Sequence, residues 1–522
     1  MSKDFERTVG TSQNSAGVVE ISAEAEPVTA FVGPAPRGPV DYAVSIQTIE
    51  AFDRQFGVPE YHCRMGFAIR QFFANGGRNA VVVRVSASTE HNRILLRGES
   101  GNLVLEACNP GPLEFLRASI DYDSIPADET RSFNIVVQRL RSENSVWIDE
   151  QEYFRAVNTD PNSRDYIGKV LTQSDLVRLC GVAPEQRPAL TIRQGSIKES
   201  GYVSAVASRL NSPAPSDYDL VGSQESGTGL SALDAIPDLA HVCLISGAPD
   251  AAIGPVAMLA ADNFCRQHQS LLIVDPPARW KSVDDVVNDQ RRSDFSSPNT
   301  VTWFPCVQLK SAGDVDVMTS ATGGVAAALA EAERIRGVQR LHDEPMTMPR
   351  NGLRPLVAVS ADDSHRLVRA GINALVQRSA LHLQLRGNAT EARHASVTGG
   401  FDELDMRARV LLIGRRIRLG TRWAAAHDGS PRVCAALRAQ LEDFMRDLHQ
   451  RGLLVGAGAG ESWFLKCAPD THSDDGVGGK LCFTVGLALS APREYFGLRF
   501  QHRVDRCAVT ELGWQTELAL AS

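Results

Sequence analysis

The chain has 522 residues, 43% apolar and 22% charged, with 54 Lys and Arg against 62 Asp and Glu for a formal net charge of -8. This balance excludes global disorder, and at roughly 150 residues per domain it anticipates about three domains. An acidic chain argues against direct contact with nucleic acid, because phosphate binding needs a concentrated basic surface. No apolar run reaches the roughly 18 to 20 residues that cross a bilayer, so membrane insertion is not expected. The opening MSKDFERTVGTSQNSAG has no apolar stretch for secretion, which anticipates assembly in a cytoplasm. Ten cysteines include no C-x-x-C pair, and several, such as Cys243 in HVCLIS, lie in apolar runs and read as buried thiols.

Residues 1–17 are polar and read as a mobile end. The short apolar run Val18-Val19-Glu20-Ile21 follows, then AFVGPAPRGPV (30–40), whose glycines and prolines end one strand and force a tight connection. A helix is expected over 60–74, with Met65, Ile69, Phe72 and Phe73, stopping at Asn75-Gly76-Gly77. The β-branched run from Ala80 to Val85 predicts a buried strand.

From 89 to 230 short alternating runs (NLVLEA, FLRASIDYD, FNIVVQRL, PALTIRQ) separated by turn residues predict a β-rich insertion. An α/β pattern returns at 240. HVCLIS, LLIVD and TVTWFPCV read as strands, and 251–268 reads as a helix with Val256, Leu259, Ala260 and Phe264 inward. Beyond 402, Ser430-Pro431 starts a helix whose Leu437, Leu441, Phe444, Met445 and Leu448 share one face, ending at Gly452. SWFLKCA and KLCFTVGLAL then predict a hairpin across the loop THSDDGVGG. The tail places Phe496, Leu498, Phe500, His502 and Val504 on one side of a strand with no later partner evident.

No catalytic constellation emerges. Gly476 to Leu481 resembles part of a phosphate loop, but Asp474 and Leu481 occupy the positions that need glycine and a hydroxyl. Gly456-Ala-Gly458-Ala-Gly460 has Glu461 at the third glycine of a dinucleotide fingerprint and follows a helix, whereas the fingerprint follows a strand. Asp121 and Asp123 could begin a calcium loop, but Pro126 stands where its turn needs glycine. Asp275 ends LLIVD where α/β sheets often bind ligands, yet Pro276-Pro277 removes the backbone donors that would cradle an anion. Neither cofactor nor metal is expected.

Several of these segments resemble, in order, the contractile tail sheath proteins of phage tails, bacteriocins and related injection systems. They are AFVGPAPRGPV, RQFFANGGRNAVVVRV, SIDYD, ALDAIPDLAHVCLISG, LLIVDPP, AGINALV, LRAQLEDFMRDLHQRGLLVGA, SWFLKCA and EYFGLRFQ. The opening strand is shorter than that family's, the stretch near 305–350 is reworked, and residues continue past Val504.

The resemblance implies a non-enzymatic multidomain α/β and α+β fold. Its parts would be an N-terminal arm (1–29), a discontinuous parallel α/β core (30–88 and 231–401), an inserted β-rich outer domain (89–230), a C-terminal α+β domain near the tube (402–493) and a C-terminal arm (494–522). It further implies a helical homo-oligomer of six-subunit rings around an inner tube protein, with baseplate and tail terminator proteins as partners, in a virion tail or a phage-tail-like particle. Val18, Val19, Glu20, Ile21, Phe496, Leu498, Phe500, His502 and Val504 would be arm strands that pair between subunits. Arg438, Glu442, Arg446 and Asp447, on the outer face of the 431–451 helix, would contact the tube. Two alternatives stay open: a single-ring component such as a terminator or baseplate-proximal variant, and an α/β enzyme using Asp275.

Overall fold

The computed structural model describes residues 21, 26–58, 64–87, 90–111, 113–143, 145–191, 201–206, 214–247, 252–310, 316–336, 346–349, 352–392, 401–426, 431–469, 481–502 and 507–516. Its centre is a nine-stranded sheet. In order across the sheet the strands are Thr347–Pro349, His382–Arg386, Asn373–Gln377, Thr300–Phe304, Leu271–Val274, Leu239–Leu244, Val28–Gly33, Ala80–Arg84 and Ala43–Ile46. The six strands from Asn373–Gln377 to Ala80–Arg84 run parallel, and antiparallel strands finish each side. Parallel strands are covered on both faces, which is why they read as continuous apolar runs in sequence.

Successive side chains leave a strand on opposite faces, so each strand feeds two cores. Phe31, Cys243 and Ile273 join Phe52, Met65, Phe72 and the 322–336 helix on one side. Ala30, Val32, Val242 and Leu244 meet Ala257, Ala261 and Phe264 on the other. The Arg64–Ala74 helix ends as expected, with the Gly77 N–H donating to the Phe72 carbonyl at 2.9 Å.

The Pro255–His268 helix buries Phe264 and half-buries Ala260 as expected, but not Val256 and Leu259. Ala257, Ala261, Phe264 and Cys265 are buried, whereas Val256 is 41% and Leu259 61% exposed. Two alanines one turn apart pack against the sheet beside Phe264, and Val256 and Leu259 are turned outward.

Between Arg84 and Leu239 the chain leaves this layer. It builds a four-stranded sheet (Val203–Ser204, Leu116–Asp121, Ser132–Leu140, Ile148–Asn158) and a three-stranded one (Arg93–Leu96, Leu103–Ala107, Val177–Leu179). Both sheets close on a core of their own, including Ile94, Leu105, Leu116, Phe133 and Ile135. Leu220 and Leu230 fall within the range expected for the insertion, yet they pack into the nine-stranded sheet's core. The chain has therefore rejoined the parallel layer before residue 230.

The last portion packs two helices, Leu404–Gly420 and Pro431–Gln450, against an antiparallel sheet. The order is Trp463–Pro469, Leu481–Ala488, Glu494–His502, Cys507–Thr516. The 404–420 helix is a shared wall. Its Leu404 and Leu411 enter the parallel-sheet core, while Val410, Ile413 and Ile417 enter the C-terminal one. Arg415 fixes this joint by donating to the Asp238 carboxylate at 2.9 Å, the Gln269 carbonyl at 3.0 Å and the Glu333 carboxylate.

Candidate assembly interface

The strand expected to be an unpartnered arm is interior to the chain's own sheet. Glu494–His502 pairs along its length with Leu481–Ala488 on one side and with Cys507–Thr516 on the other. Phe496, Leu498 and Phe500 therefore face the chain's own C-terminal core. Phe500 stacks on Phe483 at 4.9 Å, and Phe401 meets Phe496 edge-on at 4.5 Å. An apolar face on a strand demands a core, and the fold supplies that core from within one subunit. What the sequence concealed is the partner, because CAVTELGWQT carries no apolar run.

His502 closes the row, 2% exposed. The Thr421 hydroxyl donates to the Ile417 carbonyl at 2.7 Å and lies 2.9 Å from His502 Nε2, which suits a neutral ring protonated on Nε2. Nδ1 is buried with no hydrogen-bond partner. Burial, reinforced by Arg422, pushes the imidazole pKa down to about 4.

Val18, Val19, Glu20 and Val504 lie outside the described residues. Ile21 is described, is 7% exposed, and belongs to the same C-terminal core. It packs against the end of the 404–420 helix so closely that a Cβ at Gly420 would come within 2.5 Å of its Cγ1. Ile21, the first residue described, and Cys507–Thr516, the last strand described, thus meet at the core of one sheet. The outer strands of that sheet are Trp463–Pro469 and Cys507–Thr516, and among the described residues each has a ladder partner on one side only. Such edges are templates for another strand.

The terminal strand is held by three features. A bulge at Leu512 sets its register, with Gly497 opposite Gly513 and Leu498 opposite Glu511. Gly513 sits at φ 75°, a conformation glycine adopts without strain. Leu512 covers Gly497, where an added Cβ would meet the Leu512 Cβ at 3.0 Å. Glu511 accepts from Arg407 Nη2 at 2.5 Å, and Arg407 Nε donates to Asn299 at 2.6 Å. Trp514 packs on Phe401 and Phe496 at 5.8 and 5.7 Å. Sequence reading missed Arg407 and Glu511, since they lie 104 residues apart and neither stands in a motif.

The four candidate tube-contact residues lie on the side of the 431–450 helix away from Leu437, Leu441 and Phe444. Arg438, Glu442 and Arg446 are exposed and Asp447 is half-exposed. Arg446 pairs with Asp443 at 2.6 Å, and Arg451 pairs with Asp447 at 2.9 Å.

Asp275 is buried at the carboxyl end of its strand and accepts from the Thr322 hydroxyl at 2.6 Å. Burial raises its pKa, and the Ser320 and Thr322 hydroxyls pull it back. The carboxyl joins the strand end to the first turn of the 322–336 helix through Oδ1, while Oδ2 is buried with no hydrogen-bond partner. Among the described residues no group of three His, Cys, Asp or Glu is placed to hold a metal ion.

A second polar joint, also missed in sequence, fastens the insertion to the core. Arg37 of PAPRGPV, 1% exposed, donates to the Leu140 carbonyl at 2.8 Å, the Arg54 carbonyl at 2.9 Å and the Asp149 carboxylate at 2.6 Å. Beside it, Glu114 accepts from the Gly38 N–H at 3.3 Å and from Arg139 at 3.1 Å.

No protein-family profile matches the sequence, and no curated protein matches it. Solved structures do match in fold. The sheath tail protein of Listeria innocua superposes with a TM-score of 0.60 at 9% identity, over 95% of this chain and 97% of that one. The sheath tail protein of Desulfitobacterium hafniense gives 0.53 at 10% identity, over 97% and 100%. The chain has the tail sheath fold. A third match is the PVC sheath of an extracellular contractile injection system in its contracted state, with a TM-score of 0.51 at 13% identity over 92% of both chains. The shared sheath fold runs nearly the full length of each pair and is not confined to one layer.

Proposed function

We propose that this chain is a structural sheath subunit. In this reading it polymerises as stacked six-subunit rings around an inner tube and contracts to drive that tube through a target cell envelope. The observation that carries it is the end-to-end likeness to sheath proteins, one of them solved in the contracted state. The C-terminal sheet, whose outer strands have one ladder partner each among the described residues and whose core takes in Ile21, supports the same reading, because strand addition joins subunits through backbone ladders while their faces repack.

The strands proposed to pair between copies are the outer ones of the C-terminal sheet, together with the segment carrying Val18, Val19, Glu20 and Ile21. The outer face of the 431–450 helix, with Arg438, Glu442, Arg446 and Asp447, is proposed to meet the tube. Assembly would occur in a bacterial cytoplasm, with baseplate and terminator proteins closing the two ends of the cylinder. Energy for contraction would be stored in the lattice during assembly, so firing requires no nucleotide.

The test is polymerisation of the purified chain with and without its first 20 residues. Hollow cylinders from the full chain and none from the shortened one support the reading. Cylinders of normal length from the shortened chain would refute the role given to that arm.

A further inference from the structure

Two cysteines of the C-terminal unit meet where the 431–450 helix packs on the outer strand Trp463–Pro469. Cys434 lies one and two helical turns before Leu437 and Leu441, so it continues the stripe that the helix turns to the sheet. Cys467 follows Trp463 and Leu465 at alternate positions, so it leaves the strand on the face that meets the helix. Helix and strand run in opposite directions. At one end of their contact His449 packs on Trp463 with ring centres 5.8 Å apart, and at the other the Cys467 thiol hydrogen-bonds to Cys434. Both residues are thiols and both are half-buried, so a small molecule can reach them.

Cys482, in the adjoining strand, is the competitor for Cys467. It stands opposite Ala468, whereas Phe483 stands opposite Cys467. Alternation therefore turns Cys482 to the other face of the sheet, away from the helix. Burial, and then the bond to Cys434, push the Cys467 thiol up to about 12, with the nearby Arg438 guanidinium opposing them. Cys467 holds its proton at neutral pH, which leaves Cys434 as the first nucleophile.

We propose that Cys434 and Cys467 form a redox-modification site that a small-molecule disulfide oxidises to an internal disulfide. The Cys434 thiolate attacks one sulfur of the small disulfide RSSR, whose S–S bond breaks as one RS⁻ leaves. Cys467 then gives up its proton and attacks Cys434 Sγ in the mixed disulfide, expelling the second RS⁻. The two protons lost by the protein pass to the two departing thiolates. One protein S–S bond is formed by a two-electron oxidation, and RSSR is reduced to two RSH. The new bond staples the start of the helix to the end of the outer strand. In a reducing cytoplasm the pair stays as thiols, and in oxidising surroundings it closes. This chemistry needs only the fold of the C-terminal unit and does not rest on the sheath reading. Under that reading, a particle outside the cell carries a stiffer sheet edge than one still inside it.

The test uses the full-length chain, reduced and then exposed to oxidised glutathione at neutral pH without denaturant. Non-reducing peptide mapping should find the Cys434 and Cys467 peptides joined, about 2 Da lighter than their sum, and dithiothreitol should separate them. Oxidation should raise the thermal midpoint of the C-terminal unit by roughly 5–10 °C. C482S should keep both effects. C434S and C467S should lose both while unfolding like wild type in reducing buffer. A pair that stays reduced, that stops at the glutathione adduct, or that joins Cys467 to Cys482 overturns the proposal. So does a bond that forms and leaves the midpoint unchanged. Neither readout depends on polymerisation, so failure of the sheath reading is a separate result.

Discussion

Replacing Asp149 by asparagine tests the joint between the insertion and the parallel-sheet core. Asp149 and Arg37 are 2% and 1% exposed, and their 2.6 Å contact spans 112 residues of sequence. Breaking a buried pair by removing one charge costs about 3–5 kcal/mol. Arg37 keeps its bonds to the Leu140 and Arg54 carbonyls, which places the expected loss near the lower end, about 3 kcal/mol. At about 2–4 °C per kcal/mol for a unit of this size, the midpoint should fall by roughly 6–12 °C.

The control is D160N, which removes the partner of Arg131 in a pair that is 48% and 34% exposed. Surface pairs contribute about 0–1 kcal/mol, so that variant should unfold close to wild type. Urea and thermal unfolding of both variants, with limited proteolysis across residues 84–116, give the comparison. A D149N stability within about 1 kcal/mol of D160N would refute the reasoning that this pair locks the insertion to the core.

Other consequences separate the observed fold from the simpler reading of its sequence. Phe500→Ala removes a ring stacked on Phe483 in a closed core, and should lower the stability of the isolated chain by about 3–5 kcal/mol in urea; a free arm would show no change. His502 has a folded pKa near 4 against 6.5 in the unfolded chain, so its contribution is full above pH 6.5 and is lost as pH falls toward 4. The loss amounts to roughly 3 kcal/mol, and H502Q should flatten that part of the pH–stability curve. His241, whose pKa burial lowers to about 3, acts in the same direction and remains in that variant. Reversing Arg438 and Arg446 to glutamate should leave stability within about 0.5 kcal/mol, because both are exposed, while weakening co-sedimentation with the tube protein.

The parallel strands at 80–84, 271–274 and 300–304 were legible because burial on both faces writes an unbroken apolar run. The helix at 431–450 was legible because one face carries every large apolar residue. The face of the 255–268 helix was legible in part, with Ala260 and Phe264 inward as read, but hydrophobicity favours Val256 and Leu259, whereas Ala257 and Ala261 are the residues that pack against the sheet. The 494–502 strand was recognisable by alternation, but its partner was not, because an edge strand with one half-covered face carries mixed polarity. Arg37, Arg407 and Arg415 gave no warning of their burial. An arginine looks solvated in sequence until its acceptors, here 112, 104 and 177 residues away, are brought beside it.

The central claim is that this chain builds a contractile cylinder, and electron microscopy of the purified full-length protein with its tube protein tests it most directly. Hollow cylinders of stacked rings, occurring in a long narrow form and a short wide one, are expected. Monomers or isolated single rings at every concentration and salt condition would contradict it.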